Sequence, residues 1–285
     1  MADLAVDSAV LPVGEDRYQA TLSRDWDVWG PNGGYLAAVA LRAAGLATAL
    51  PRPASLSCQF LGPARFAEVE LRATVARSGH RAEAVRVDMS QRGRAVLSAS
   101  VWAVADGLSG PQYAVATPPS VPPPQELASI EELAAQWGPM PLPHRRNCDT
   151  RPVSWSPGTP GSLGESAMSG WLRLRPRATF PGDPWLDACR SVVHVDTTPF
   201  PALLLTCPND MPPFVAPTLT LQVNFHDAAP EAEWLLVEGH GTALGGGLAA
   251  GRAAVWSPDG RLLATGAQQM LCRMLPARSP EPAHV

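Results

Sequence analysis

Lysine is missing altogether: all 22 basic residues of the 285-residue chain are arginine. A phosphate-loop lysine, a Schiff-base lysine and a lysine general base are thereby excluded. Cysteine is scarce and scattered. The five thiols (Cys58, Cys148, Cys189, Cys207, Cys272) form no Cys-x-x-Cys pair and are odd in number. The expectation is therefore buried thiols in a reducing cytosol, with neither a disulfide framework nor a metal centre. No apolar stretch approaches the roughly 20 residues of a membrane span, and Met1 to Val10 lacks the basic-then-apolar order of a secretion signal. Basic runs are absent too, and the formal net charge is −4. Nucleic acid and anionic membranes are thus unexpected partners, and a soluble, cytoplasmic protein is expected.

Charge is sparse at 17% against 46% apolar residues, which leaves ample material for a core spread over two domains of about 120 residues. Proline marks the division. Between Gly107 and Thr150 lie Pro118-Pro119, Pro122-Pro123-Pro124 and the Pro139/Pro141/Pro143 cluster, a stretch that cannot hold sheet ladders or long helices. A short helix from about Gln125 to Gln136 fits inside it. The expected layout is an N-terminal domain at 1–106, a linker at 107–146, a C-terminal domain at 147–276 and a frayed tail at 277–285. Ser154 to Ser169 reads as a surface loop.

In the first half, Gly33 to Ala49 is helical by propensity, with Arg42 its only charge. A helix this apolar on every side, and this rich in alanine, must be enclosed and closely packed. Period-two strands follow: Leu56/Cys58/Phe60, Val69/Leu71/Ala73/Val75 and Val85/Val87/Met89, then a turn at Arg92-Gly93 into Arg94 to Val104. The second half repeats the order, with a strand at Trp171 to Leu174, a helix from Asp183 to about Val195, and strands at Thr218 to Phe225, Trp234 to Glu238, Leu248 to Trp256 and Arg261 to Cys272. Ser55-Leu56-Ser57-Cys58-Gln59 matches Thr218-Leu219-Thr220-Leu221-Gln222 at an offset of 218 − 55 = 163. A repeat of that length is a duplicated domain. The predicted class is α+β, two copies of an antiparallel sheet wrapped around a long helix.

That duplicated arrangement resembles the acyl-CoA thioesterase II (TesB-like) family, whose fold is the double hotdog. The resemblance is carried by Phe225-His226, by Glu233-Trp234-Leu235-Leu236, by the run Asp259 to Gln268, and by Trp29-Gly30-Pro31-Asn32-Gly33-Gly34-Tyr35. It implies that an Asp, a Thr and a Gln of the second half hold a water that attacks a thioester carbonyl. Spacing along the family pattern puts the threonine at Thr242 and the glutamine at Gln268. The aspartate position falls on Thr220, which implies slowed hydrolysis. Asn32, Gly33 and Gly34 at the first helix start would bind the substrate oxygen. Asp196, after the second helix, is a candidate acid for a second, pseudo-equivalent cleft. Asp88 with His80, and the strand-end His226 and His240, are further titratable candidates.

The resemblance implies no cofactor beyond the coenzyme A of an acyl-CoA substrate, and homo-oligomers formed through the hotdog sheets. Two other readings stay open: a non-catalytic acyl-thioester binding module, and a hotdog hydratase or dehydratase. The latter needs a histidine after Asp25 or Asp27, and none follows.

Overall fold

The structure is a computed structural model that describes residues 2–111, 113, 115–137, 147–153, 167–205, 207 and 211–275. The first half opens with α1 (Leu4–Asp7), β1 (Leu11–Gly14) and β2 (Arg17–Thr21). Helix α2 (Gly33–Ala47) follows, then β3 (Arg52–Phe60), β4 (Glu68–Arg77), β5 (Ala82–Gln91) and β6 (Arg94–Val104). A helix α3 (Ile130–Trp137) stands in the proline-rich stretch. The second half contains β7 (Cys148–Pro152), β8 (Ala167–Leu174), α4 (Pro184–Thr197), α5 (Pro199–Leu204) and β9 (Phe214–Val215). It continues with β10 (Thr218–Phe225), β11 (Leu235–Gly245), β12 (Leu248–Trp256), β13 (Leu262–Leu271) and β14 (Arg273–Met274). Most of the expected loop at 154–169, part of the expected linker and the tail lie outside the described residues; positions 167–169 already belong to β8.

Twelve strands form one antiparallel sheet in the order β1-β2-β4-β5-β6-β3-β10-β13-β12-β11-β8-β7. The order reads alike from either end, and the seam is the pair β3–β10. There Cys58 pairs with Leu221, with Ser57 opposite Gln222 and Gln59 opposite Thr220. Cys58 and Leu221 are separated by 221 − 58 = 163 residues, the offset of the internal repeat, so the duplication has placed equivalent residues across a pseudo-two-fold axis. The fold is a double hotdog of mixed α+β class.

The inward positions of the strands match the period-two pattern: Leu56 and Cys58, Val69, Leu71 and Ala73, and Val85, Val87 and Met89 are all buried. They close over α2, ten of whose fifteen residues are buried. Helix α4 packs against α2, and small residues set how closely. A Cβ built at Gly34 would meet the Cα of Val193 at 2.9 Å and the Cβ of Asp196 at 2.8 Å, so any side chain there must push the two helices apart.

The other end of α4 is fixed by charge. Its Asp183 N-cap accepts from the Leu186 N–H at 2.9 Å and pairs with Arg42 of α2. Arg190 is 1% exposed, pairs with buried Asp187 and donates to the carbonyls of Ala178, Ala229 and Ala232. Removing one partner strands the other charge in the core, at a cost of about 3–5 kcal/mol. Arg190→Leu should lower the thermal midpoint by roughly 10 °C, measured by calorimetry; an unchanged midpoint would refute this role.

Candidate active site

The antiparallel packing of the two helices brings the C-terminal turn of α4 to the N-terminus of α2. Asp196, 7% exposed, sits in that turn and points at the helix start. Its Oδ2 accepts from the Gly34 backbone N–H at 2.7 Å and from Asn32 Nδ2 at 3.0 Å. Its Oδ1 accepts from Thr218 Oγ1 at 2.9 Å. Thr218 also lies 3.3 Å from Gln268 Oε1, and Gln268 Nε2 donates to the Asp196 carbonyl at 2.9 Å. Three second-half side chains thus meet at the first-half helix.

Each position has a local cause. Asn32 is the N-cap of α2, its Oδ1 accepting from the Tyr35 N–H at 2.8 Å, which leaves its amide N–H groups for Asp196. Gln268 is 4% exposed and opposite Leu221 in the β10–β13 ladder, so it faces inward. Thr218 faces inward through a bulge. It pairs with Met270, yet Thr220 pairs with Gln269, so β10 carries one extra residue between them. The bulge shifts the alternation, and Thr218 joins the inner face while Thr220 does not.

Burial pushes the Asp196 carboxyl above the ordinary carboxylate range, and the bonds from Gly34, Thr218 and Asn32 only partly offset this. Above the cluster lies a cleft of about 440 Å³, with Trp29, Leu36, Phe60, Leu61, Phe200 and Met270 among its walls. Trp29 meets Phe200 edge to face with ring centroids 5.3 Å apart. Trp26 instead stacks on Tyr35 in the core.

The structure therefore brings together Asn32, Gly33, Gly34, Gln268 and Asp196, and it leaves out two expected residues. Thr220 is exposed on the outer face, where regular alternation with buried Leu221 puts it; the bulge turns in Thr218 instead. Thr242 is exposed, and it is the extra residue of a second irregularity, between Gly241 and Ala243, where β11 pairs with β12. Asp196 does not serve a separate cleft; it faces the same helix start as Gln268. At the pseudo-equivalent end, where α2 finishes, the position facing the helix is taken by an aromatic ring instead of a carboxylate: a Cβ at Gly45 would meet the Trp185 ring at 2.7 Å. Asp88 pairs with Arg86 and Ser98, His226 with Thr265 and His240 with Glu238, all away from the cluster. Thr218 is the member that strict alternation misses.

Comparison with known proteins agrees with this architecture. Residues 22–104 match the family model of the acyl-CoA thioesterase N-terminal domain, and residues 124–272 that of the acyl-CoA thioesterase C-terminal domain. The chain belongs to the acyl-CoA thioesterase family. No curated protein matches it significantly. Among solved structures it resembles a hot dog fold protein of unknown function from Alicyclobacillus acidocaldarius, with 24% identity over 97% of this chain and 100% of that one and a TM-score of 0.77. A thioesterase II, so described provisionally, from Thermobifida fusca YX is also 24% identical, over 96% and 98% of the two chains, with a TM-score of 0.77. The acyl-CoA thioesterase II TesB2 of Mycobacterium marinum is 20% identical over 97% and 99%, with a TM-score of 0.75. At these identities the likeness shows the shared fold. No helix among the described residues is long and apolar enough to cross a membrane.

Proposed function

We propose that the protein hydrolyses an acyl-CoA thioester by direct attack of water, with Asp196 as general base. The observation that carries this reading is the meeting of Asp196, Thr218 and Gln268 at the N-terminus of α2. It supplies the aspartate, threonine and glutamine that the resemblance implies, with Asp196 and Thr218 in place of Thr220 and Thr242.

The chemistry follows from the groups present. A buried carboxylate of raised basicity takes a proton from a water oriented by Thr218 and Gln268. The resulting hydroxide adds to the thioester carbonyl. Two of the first N–H groups of α2 are already committed, Gly34 to Asp196 and Tyr35 to Asn32. Gly33 also lines the cleft, which supports its N–H as the donor to the developing oxyanion. Collapse of the tetrahedral intermediate breaks the C–S bond, and the departing thiolate recovers the proton held by Asp196. Carboxylic acid and free thiol are the products. The apolar cleft walls suit the acyl chain.

This reading is preferred to a hydratase because, among the described residues, the cluster holds no imidazole, and to a binding module because the cluster contains a carboxylate able to act as base. The test is thiol release from a panel of acyl-CoAs, followed with a colour reagent. Thr218→Val should lower kcat by about 10–100-fold, since it removes one hydroxyl that orients the water. Absence of thiol release from every acyl-CoA, or a fully active Thr218→Val, would refute the proposal.

A further inference from the structure

We propose that a second groove, lined by Arg24, Arg65 and Arg92 beside the cleft, holds the phosphorylated nucleotide end of coenzyme A. The inference rests on the thioester reading and deepens it, because it selects coenzyme A over a protein carrier as the thiol. The groove has a volume of about 400 Å³ and shares Gly30, Pro31 and Ala64 with the catalytic cleft. A substrate whose carbonyl sits at the start of α2 can therefore continue into it along a common wall.

The charge of the groove is uncompensated. Among the described residues, no carboxylate forms an ion pair with Arg24, Arg65 or Arg92; several other arginines are unpaired too, but these three line the same groove. In a chain of formal charge −4, three unpaired guanidinium groups on one concave wall make a local anion site. Guanidinium forks match phosphate oxygens in pairs.

The groove is also built, not merely charged. Gln91, itself buried, clamps the loop that carries Arg65: its Oε1 accepts from the Arg65 N–H at 2.8 Å, and its Nε2 donates to the carbonyls of Arg65 and Glu68 at 2.9 and 3.1 Å. Arg92 follows Gln91 directly, in the turn between β5 and β6, with a φ of 52°. Arg24 lies over the Phe66 ring, 5.3 Å from its centroid. Three separate segments thus present their cations from one braced frame. Pyrophosphate and a ribose phosphate supply the several anionic groups that such a frame fits. The confined volume suits a nucleotide better than the broad face of a carrier protein.

The test uses calorimetry on the intact protein with adenosine 3′,5′-bisphosphate as the probe, which requires no hydrolysis. The wild type should bind it, and Arg65→Ala/Arg92→Ala should weaken binding by about 100-fold, roughly tenfold for each charge-assisted contact. Lysine at both positions keeps the charge and should recover part of the affinity, which separates loss of charge from loss of fold. In turnover, the ratio of kcat/KM for an acyl-CoA over the matching acyl-pantetheine should fall by a similar factor. Equal nucleotide binding by wild type and double variant, or no binding by either, would overturn the proposal. So would a ratio that stays constant while turnover of an acyl–carrier protein drops, which would make the groove a carrier-docking face. A protein that binds the nucleotide but releases no thiol would leave this site standing and remove only the hydrolytic reading.

Discussion

Asp196→Asn should lower turnover by about 10²–10⁴-fold, the usual worth of a positioned general base, and at neutral pH it should make the protein more stable. The first follows because an amide cannot take the proton; the second follows because burial raises the carboxyl above its ordinary value. The unfolded chain loses this proton at about pH 4, before the folded protein does. Between the unfolded and the folded value the native state therefore binds more protons, and stability falls as pH rises. Above the folded value the full cost of burying the charge remains. At neutral pH the wild type carries that cost and the amide does not. The amide also fits the site: its oxygen can accept from Gly34 and Asn32, and its N–H can donate to Thr218, whose hydroxyl then turns to Gln268. Each kcal/mol gained should raise the thermal midpoint by about 2–4 °C, and the gain should vanish below about pH 4, where both carboxyl states are protonated. An active variant, or one less stable than wild type at neutral pH, would remove Asp196 from the role of buried base.

The threonine shows where sequence reasoning stops. Thr218-Leu219-Thr220-Leu221-Gln222 reads as one alternating strand, and alternation puts Thr218 and Thr220 on the same side. Strand order, inward faces and the pairing of the halves all follow from such periodicity, since burial of every second side chain is what holds a sheet over a helix. A bulge is decided by tertiary fit at one residue, and nothing in the local pattern announces it. Its consequence is large, because it exchanges an outward threonine for the one that touches Asp196. Counting from a distant landmark fails more plainly at Thr242, which stands on β11, not β10, and is exposed where a second irregularity adds a residue.

Asp196 is legible in the sequence as a candidate acid, but its partners are not: it faces the same helix start as Gln268, where the sequence suggests a separate cleft. Duplication makes two helix ends look equivalent, and the chain alone does not say which end of α4 keeps polar groups. The structure answers with two glycines. At Gly34 the space a side chain would occupy holds Asp196; at Gly45 it holds the Trp185 ring. Trp185 is 8% exposed and its Nε1 donates to the Leu50 carbonyl at 3.3 Å, so at that end the ring fills the space beside α2, and the charges nearby are held in the Arg42–Asp183 and Arg190–Asp187 pairs. One end of the pseudo-symmetric pair is thus a polar site and the other a structural joint.

These two glycines give the second large effect. Gly34→Ala puts a Cβ 2.8 Å from the Asp196 Cβ and 2.9 Å from the Val193 Cα, both held by the packed helix α4. The helices must separate, at about 1–3 kcal/mol for overpacking. The Gly34 N–H then leaves Asp196, and a misplacement near 1 Å in a catalytic group can cost about 10²-fold in rate. Gly45→Ala makes a similar clash, at 2.7 Å, but against a tryptophan ring remote from the cluster. Both variants should lose stability in thermal melts, and only Gly34→Ala should lose about 100-fold or more in turnover of folded protein. The comparison removes general destabilisation as the cause, because the joint at Gly45 bears the same kind of strain. Equal turnover in the two variants would mean that the close approach of α4 to the start of α2 serves packing alone, and that the reacting thioester lies elsewhere.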